Sequence, residues 1–412
     1  MVMMKQGPLK GVRVIELCHA MAGPTCGLML ADMGADVIKV EKPDGGDDTR
    51  RFAPPRIAGE SAAFMMMNRN KRGIVIDMKK PGGIKALARL IETADVVTEN
   101  YRPGVMTRLG LDYESLRKKN PGLIYAAISG FGRSGPYSER AGLDLIAQGM
   151  SGLMSITGEG PGRPPVKVAA PICDITAGLL LTMGVLAAYG HRLKTGQGQM
   201  LDTSLLEAGI THTYWQSAIA FASGVAPQPI GSAHPLNAPY QAVRVKDGHI
   251  NIGAANAKLY KAMLGAIEAP QLAEDPRFKE GPDRLANRAA LIEELEKHFG
   301  KLTAAEALAR LNKAGVPCGP LYNIIEMQND PQTLAREMVT EVQHPVAGRV
   351  KTIGLPIKFQ DTPGKVAFGA PVFGQHTEEV LLEAGYTAEE VRQLAAEGAV
   401  LLGSPAQAKA AE

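Results

Sequence analysis

The carboxylate of Asp174 heads the short list of side chains in this chain that could do chemistry. It stands in Cys173-Asp174-Ile175-Thr176-Ala177-Gly178, followed by the apolar run Leu179 to Tyr189 and by Lys194-Thr195-Gly196-Gln197-Gly198-Gln199. An apolar helix starting there offers free N–H groups and the positive end of its dipole to a carboxylate. With an unperturbed pKa of about 3.9, Asp174 is expected to be ionised near neutrality and able to attack a carbonyl carbon. Asp before an apolar helix is also a common N-cap, so the segment by itself leaves both roles open. Cys173 is a second nucleophile by type, but no nearby His or Lys lowers its thiol pKa, and it reads as packing.

Other chemistries lack their residues. The chain has no HExxH, GxSxG or Walker A pattern, and its eight histidines lie far apart, so no metal site is expected. Cys18, Cys26, Cys173 and Cys318 form no CxxC, which fits reduced thiols in a cytoplasmic protein. A net charge of +3 and 5% aromatic residues argue against nucleic acid or a membrane surface as partner. Residues 1–10 carry no apolar run of the kind a secretory signal needs. The longest greasy segment, 175–189, falls short of the roughly 20 residues a bilayer requires and is expected to be a buried core helix.

The elements that must position Asp174 begin with a βαβ pattern: a strand over 11–17, a helix over 23–33 and a strand over 35–41. The theme repeats, with strands over 72–78, 95–99 and 123–128 and helices over 82–93 and 109–119. The expected fold class is α/β, with an open, doubly wound, Rossmann-like sheet. Glu41 invites a dinucleotide reading, but no GxGxxG follows the first strand.

The division reads as a large α/β domain over 1–207, a linker over 208–238, a small α+β domain over 239–330, and a return segment over 331–412 that completes the large domain. Pro227, Pro229 and Pro235 mark the linker. The small domain opens with a hairpin over 239–252 turning at Asp247-Gly248, followed by helices over 257–267, 287–298 and 304–314. Helices over 377–384 and 387–397 belong to the return, and the alanine-rich tail after Ser404 is expected to fray.

Taken in order, several short motifs resemble the class III CoA-transferases, the CaiB/BaiF family, over nearly the whole chain. They are Leu9 to Leu17, Ala22-Gly23-Pro24, Gly34 to Pro43, Asn68 to Arg72, Glu99 to Gly104, Ser129 to Tyr137, Gly374 to Thr377 and Gly385-Tyr386. The resemblance implies an interlocked homodimer whose large domain draws on both termini. It also implies that Asp174 is the catalytic carboxylate, carrying an acyl group and then CoA between carboxylic acids with neither metal nor nucleoside triphosphate. The coenzyme A contacts it implies are Met21, Ala22, Lys42, Ile76, Asp77 and Met78, together with Lys79, Asn100, Tyr101, Arg102, Arg108 and Arg140.

The same family includes α-methylacyl-CoA racemases, which need an acid/base group on each face of the α-carbon. Where those enzymes carry Gly-His-Asp, this chain reads Gly142-Leu143-Asp144, and Leu143 carries no proton. A transferase is therefore expected, with racemase and a non-catalytic CoA-binding protein as alternatives. Asp144 is either a helix cap or a polar support for the Asp174 loop. Gly231-Ser232-Ala233-His234 and Pro239 to Ala242 most resemble relatives that handle dicarboxylic acids such as succinate and glutarate, which makes His234 a candidate for a remote carboxylate.

Overall fold

The computed structural model describes residues 6–403, so the expectation for the tail after Ser404 lies outside the described residues. The described residues pack as two units: residues 6–151, 168–212 and 331–403 in the first, and residues 152–167 and 213–330 in the second. The second unit thus takes in residues 152–167, from within the stretch read as the large domain.

In the first unit, Val400–Leu401, Arg72–Ile76, Asp36–Glu41, Arg13–Leu17, Val96–Glu99, Ile124–Ser129 and Met200–Ser204 lie side by side in one sheet. All neighbours are parallel except Val400–Leu401, which runs antiparallel against the edge. The order of the parallel strands reverses between 13–17 and 96–99, the place where open α/β sheets leave a crevice at their carboxyl ends.

Successive side chains alternate between two cores. Val14, Val37 and Val96 face one core with the helices Ala22–Asp32 and Ile172–Thr195. Ile15, Ile38 and Val97 face the other, with the helix Pro81–Glu92 and the returning helices Thr377–Glu383 and Ala388–Ala396. Both faces of these strands are buried, so even Glu16 and Lys39, set among the apolar residues of their strands, lie in the interior.

Three expectations need correcting. The helix over 109–119 shrinks to Tyr113–Leu116, with a separate turn of helix at Val105–Arg108 ahead of it, because Gly110 takes a φ of +68° and Asp112 caps a new start by accepting from Ser115 N–H. The helix carrying Asp174 runs for 24 residues, Ile172–Thr195, past the apolar stretch that marked it. It is the one described helix long and apolar enough to cross a membrane. Its buried face packs on the 22–32 helix and the sheet, while Leu179, Met183, Leu186 and Leu193 stay exposed in a stripe.

In the second unit, Tyr240–Val245 and Gly248–Gly253 form the hairpin, and Cys318–Pro320 adds a third antiparallel strand. Val245 pairs with Gly248, so the two-residue turn is Lys246-Asp247, one position earlier than expected. Helices Ala257–Ala266, Arg288–Phe299 and Ala304–Lys313 cover this sheet around Tyr260, Leu295 and Leu311.

Candidate active site

Five adjacent parallel strands deliver their carboxyl ends to one edge. The segment after Ile76 carries Asp77, Met78 and Lys79; Glu41 is followed by Lys42; and Leu17 leads through Cys18 to Met21 and Ala22. Glu99 is followed by Asn100, Tyr101, Arg102 and Arg108, and Ser129 by the loop that holds Arg140. All twelve positions assigned to coenzyme A by resemblance thus fall at or after the carboxyl ends of these strands, although they span residues 21 to 140.

Their side chains play different parts. Among the described residues, Lys79, Arg102 and Arg108 are exposed cations without a carboxylate partner. Arg140 lies flat over Tyr137, 4.4 Å from the ring centroid. Lys42 pairs with Asp48 at 2.8 Å, with both side chains about half exposed. Ile76 is buried in the sheet, so only its backbone is available to a ligand.

Asn100 ties the turn after Leu17 to the turn after Glu99: its Oδ1 accepts from His19 N–H at 3.0 Å, and its Nδ2 donates to the His19 carbonyl at 2.8 Å. Glu99 accepts from Tyr101 N–H at 2.8 Å and forms an ion pair with Arg133. Between these turns and Lys42 lies a cavity of about 120 Å³, walled by Cys18, His19, Asp47, Asp48 and Tyr101. Lys42, Arg102 and Arg108 suit the phosphates of a CoA molecule, which need cations at loop ends.

Asp174 reaches this edge through helix packing. A Cβ at Gly178 would collide with the Ala22 carbonyl and the Thr25 side chain, so the 172–195 helix lies directly on the start of the 22–32 helix. Asp174 sits four residues earlier on the same face, about 6 Å along the axis at about 1.5 Å per residue.

It is not the N-cap. Pro171 holds that position, and Asp174 falls inside the first turn with no hydrogen-bond partner for its carboxylate among the described residues. The capping carboxylate belongs to Asp144, whose Oδ1 accepts from Cys173 N–H at 2.9 Å. Ile172 N–H goes to the Ala170 carbonyl at 2.8 Å, which leaves the Asp174 N–H as the open donor of this turn.

These neighbours alter the acid. Burial, and then the Asp144 carboxylate, push the Asp174 pKa up to about 6, well above the unperturbed value expected from sequence. Burial also pushes the Cys173 thiol up to about 12, helped by Asp144 and Asp174, so it carries no thiolate near neutrality.

A family model described as CoA-transferase family III matches residues 9–377. The chain belongs to CoA-transferase family III. The succinate–glutarate CoA-transferase of Agrobacterium fabrum is 39% identical over 385 residues, covering 92% of this chain and 96% of that one. The acetyl-CoA:oxalate CoA-transferase of Acetobacter aceti is 41% identical over 354 residues, covering 86% of this chain and 89% of that one. A crystal structure of a CaiB/BaiF family protein from Brucella suis superposes with a TM-score of 0.82 at 40% identity, covering 92% of this chain and all of that one (100%).

In this class III CoA-transferase, one positioning residue escaped the sequence. Gln148 is fully buried; its Nε2 donates to Asp144 Oδ2 at 2.8 Å and to the Val168 carbonyl at 3.2 Å, and its Oε1 accepts from Val168 N–H at 2.9 Å. It ties the approach to Asp174 onto the 144–150 helix. The Asp144–Gln148 spacing of four was the available signal, but nothing in it announced burial. His234 lies in the second unit, stacked on Tyr240 at 5.1 Å and 6°, with Nδ1 accepting from Leu236 N–H at 3.1 Å.

The raised pKa has a testable sign. Attack on a carbonyl carbon requires the ionised carboxylate, and at pH 5 a group with a pKa of about 6 is roughly nine-tenths protonated. Plotted against pH, kcat/KM should fall tenfold per unit below a midpoint near 6. Asp144→Asn removes the like charge and should move that midpoint to lower pH. A midpoint near 4 in the wild-type enzyme would contradict the electrostatics described here.

Proposed function

We propose that this transferase moves CoA from succinyl-CoA to a second dicarboxylic acid, with Asp174 as the covalent carrier. The reading rests on one observation: a half-buried, unpartnered carboxylate one helical turn from the Gly178–Ala22 contact, beside the edge that gathers the cationic loop ends. Acyl-CoA is a substrate here rather than a resident cofactor.

An Asp174 oxygen attacks the thioester carbonyl, the C–S bond breaks, and a mixed anhydride and CoA thiolate result. The thiolate attacks the aspartyl carbonyl of that anhydride, releasing succinate and leaving an aspartyl-CoA thioester. The acceptor carboxylate then attacks this thioester and displaces thiolate, giving a second mixed anhydride. Thiolate attack on its acceptor carbonyl yields the new acyl-CoA and regenerates Asp174. No proton or electron is gained or lost over the cycle. A pKa near 6 serves it well, because the carboxylate is ionised at neutral pH yet more basic than a free aspartate. The open Asp174 N–H is the nearest backbone donor for the oxyanions.

Racemisation would need a second acid/base group. The neighbouring Asp144 carboxylate is already engaged by Cys173 N–H and Gln148, and Leu143 has no proton to give.

Two features bear on the acceptor and the assembly. Both relatives named above take a diacid, and His234, with Nδ1 accepting, carries its proton on Nε2 and can donate to a distal carboxylate. The exposed stripe Leu179, Met183, Leu186 and Leu193 supports an interlocked homodimer, whose second copy would cover it. Three buried cysteines and a half-buried fourth, all free, suit the cytoplasm.

Asp174→Ala should abolish transfer from succinyl-CoA while CoA binding, measured by calorimetry, stays within about threefold. Hydroxylamine should trap the wild-type acyl-enzyme; retained turnover in the variant would sink the covalent role. His234→Ala should raise the KM for succinate or glutarate about tenfold, equivalent to about 1.4 kcal/mol, and leave a monocarboxylate of equal length nearly unchanged. Equal effects on both acids would reduce His234 to a loop-shaping residue. Sedimentation should give a dimer at micromolar concentration, and Met183→Glu should disrupt it; a monomeric wild-type protein would remove the interlocked assembly.

A further inference from the structure

Four ionisable side chains are sealed directly beneath the turn that leads from the first strand into the 22–32 helix. Glu16, Lys39 and Lys71 are wholly buried, and Asp47 is 3% exposed. Lys39 Nζ lies 2.8 Å from Asp47 Oδ2 and 3.1 Å from Glu16 Oε1, and it donates to the Cys18 carbonyl at 2.8 Å. Lys71 Nζ lies 2.8 Å from Glu16 Oε2 and donates to the Pro24 carbonyl at 3.0 Å. Asp47 Oδ1 accepts from Ala20 N–H at 3.2 Å and from Thr49 N–H at 2.9 Å, which leaves it fully engaged.

Ala20 itself is strained. Its φ is +64°, a left-handed conformation that a residue with a Cβ adopts at a cost. The turn is gripped on both flanks: Lys39 holds the Cys18 carbonyl, Asn100 holds His19, and Asp47 holds Ala20. Burial alone would raise the Asp47 pKa, but Lys39 and the Thr49 hydrogen bonds outweigh it and keep the group well below the usual carboxylate range. A buried ion cluster is a poor device for stability alone, since well-packed apolar residues often serve as well or better. Backbone strain held in place by such a cluster is typical of functional sites.

We propose that Asp47 is a positioning residue for acyl-CoA. By holding Ala20 left-handed, it fixes the 18–22 segment in the shape that walls the cavity and presents Met21 and Ala22 at the carboxyl edge. This rests on the transferase reading above, and the experiment separates the two.

Kd for CoA by calorimetry, KM for succinyl-CoA and kcat are measured for the wild type, Asp47→Asn, Ala20→Gly and the double variant. Asp47→Asn should raise Kd and the succinyl-CoA KM by about tenfold while kcat and the acceptor KM change less than about threefold. Ala20→Gly alone should behave as wild type. In the Asp47→Asn background it should restore Kd to within about threefold, because glycine holds a positive φ without the grip. Should Asp47→Asn fail to fold, Ala20→Val tests the same turn, since a β-branched residue resists positive φ; it should also weaken CoA binding about tenfold. A folded Asp47→Asn protein with wild-type Kd, a defect that Ala20→Gly does not relieve, or an Ala20→Val protein with wild-type Kd would each overturn the positioning role. A wild-type protein that binds no CoA would instead overturn the transferase reading on which it stands.

Discussion

Contact between two helices, made possible because residue 178 has no side chain, is the constraint on which this site depends. The 22–32 helix begins where the first strand ends, so its position follows from the sheet. The 172–195 helix could lie against it at many heights and rotations. Gly178 against the Ala22 carbonyl and Thr25 selects one of them, and with it the height of Asp174 above the carboxyl edge. Any side chain at 178 would push the helices apart and withdraw the carboxylate from the crevice. Interiors are packed closely enough that such a displacement has nowhere to relax.

Charge is arranged around that contact in two layers. At the surface of the edge, Lys79, Arg102, Arg108 and Arg140 lie open to solvent, where phosphates are readily met. Beneath it, Glu16, Lys39, Lys71 and Asp47 balance one another in the dry interior and spend their hydrogen bonds on backbone. The outer layer is open to solvent, and the inner one holds the backbone of the 18–24 turn. Asp144 does something different again: it secures the helix start through Cys173 and, by its nearness, makes Asp174 a stronger base.

Much of this fold was legible in the residues. Strands were expected over 11–17, 35–41, 72–78, 95–99 and 123–128, and all five form, as Arg13–Leu17, Asp36–Glu41, Arg72–Ile76, Val96–Glu99 and Ile124–Ser129. Met200–Ser204 passed unnoticed because two polar residues and a serine leave it no apolar run, and Val400–Leu401 was too short to register. The position of Asp174 before an apolar helix was visible; its raised pKa was not, because Asp144 lies thirty residues away in sequence and burial has no local signature. The same holds for Gln148 and for the Lys39–Asp47 pair. Each looks like an ordinary surface polar residue until tertiary packing encloses it. Asn100 was expected to touch coenzyme A; in the structure its amide joins two turns, which sequence spacing alone cannot express.

The antiparallel strand Val400–Leu401 gives the first unit a late dependence on its own chain. That strand pairs with Val75 and Ile76, the Ala399 carbonyl takes the Asp77 N–H at 2.8 Å, and the returning His376 and Thr377 take the Gly73 and Val75 N–H groups. During synthesis, residues 213–330 emerge and can collapse around their own core well before residue 401 leaves the ribosome. Until then the 72–76 edge offers open hydrogen-bonding groups to any passing strand. A nascent chain stalled after the second unit would therefore be an aggregation hazard, and the order of elements makes the emergence of residues 399–401 a protective step.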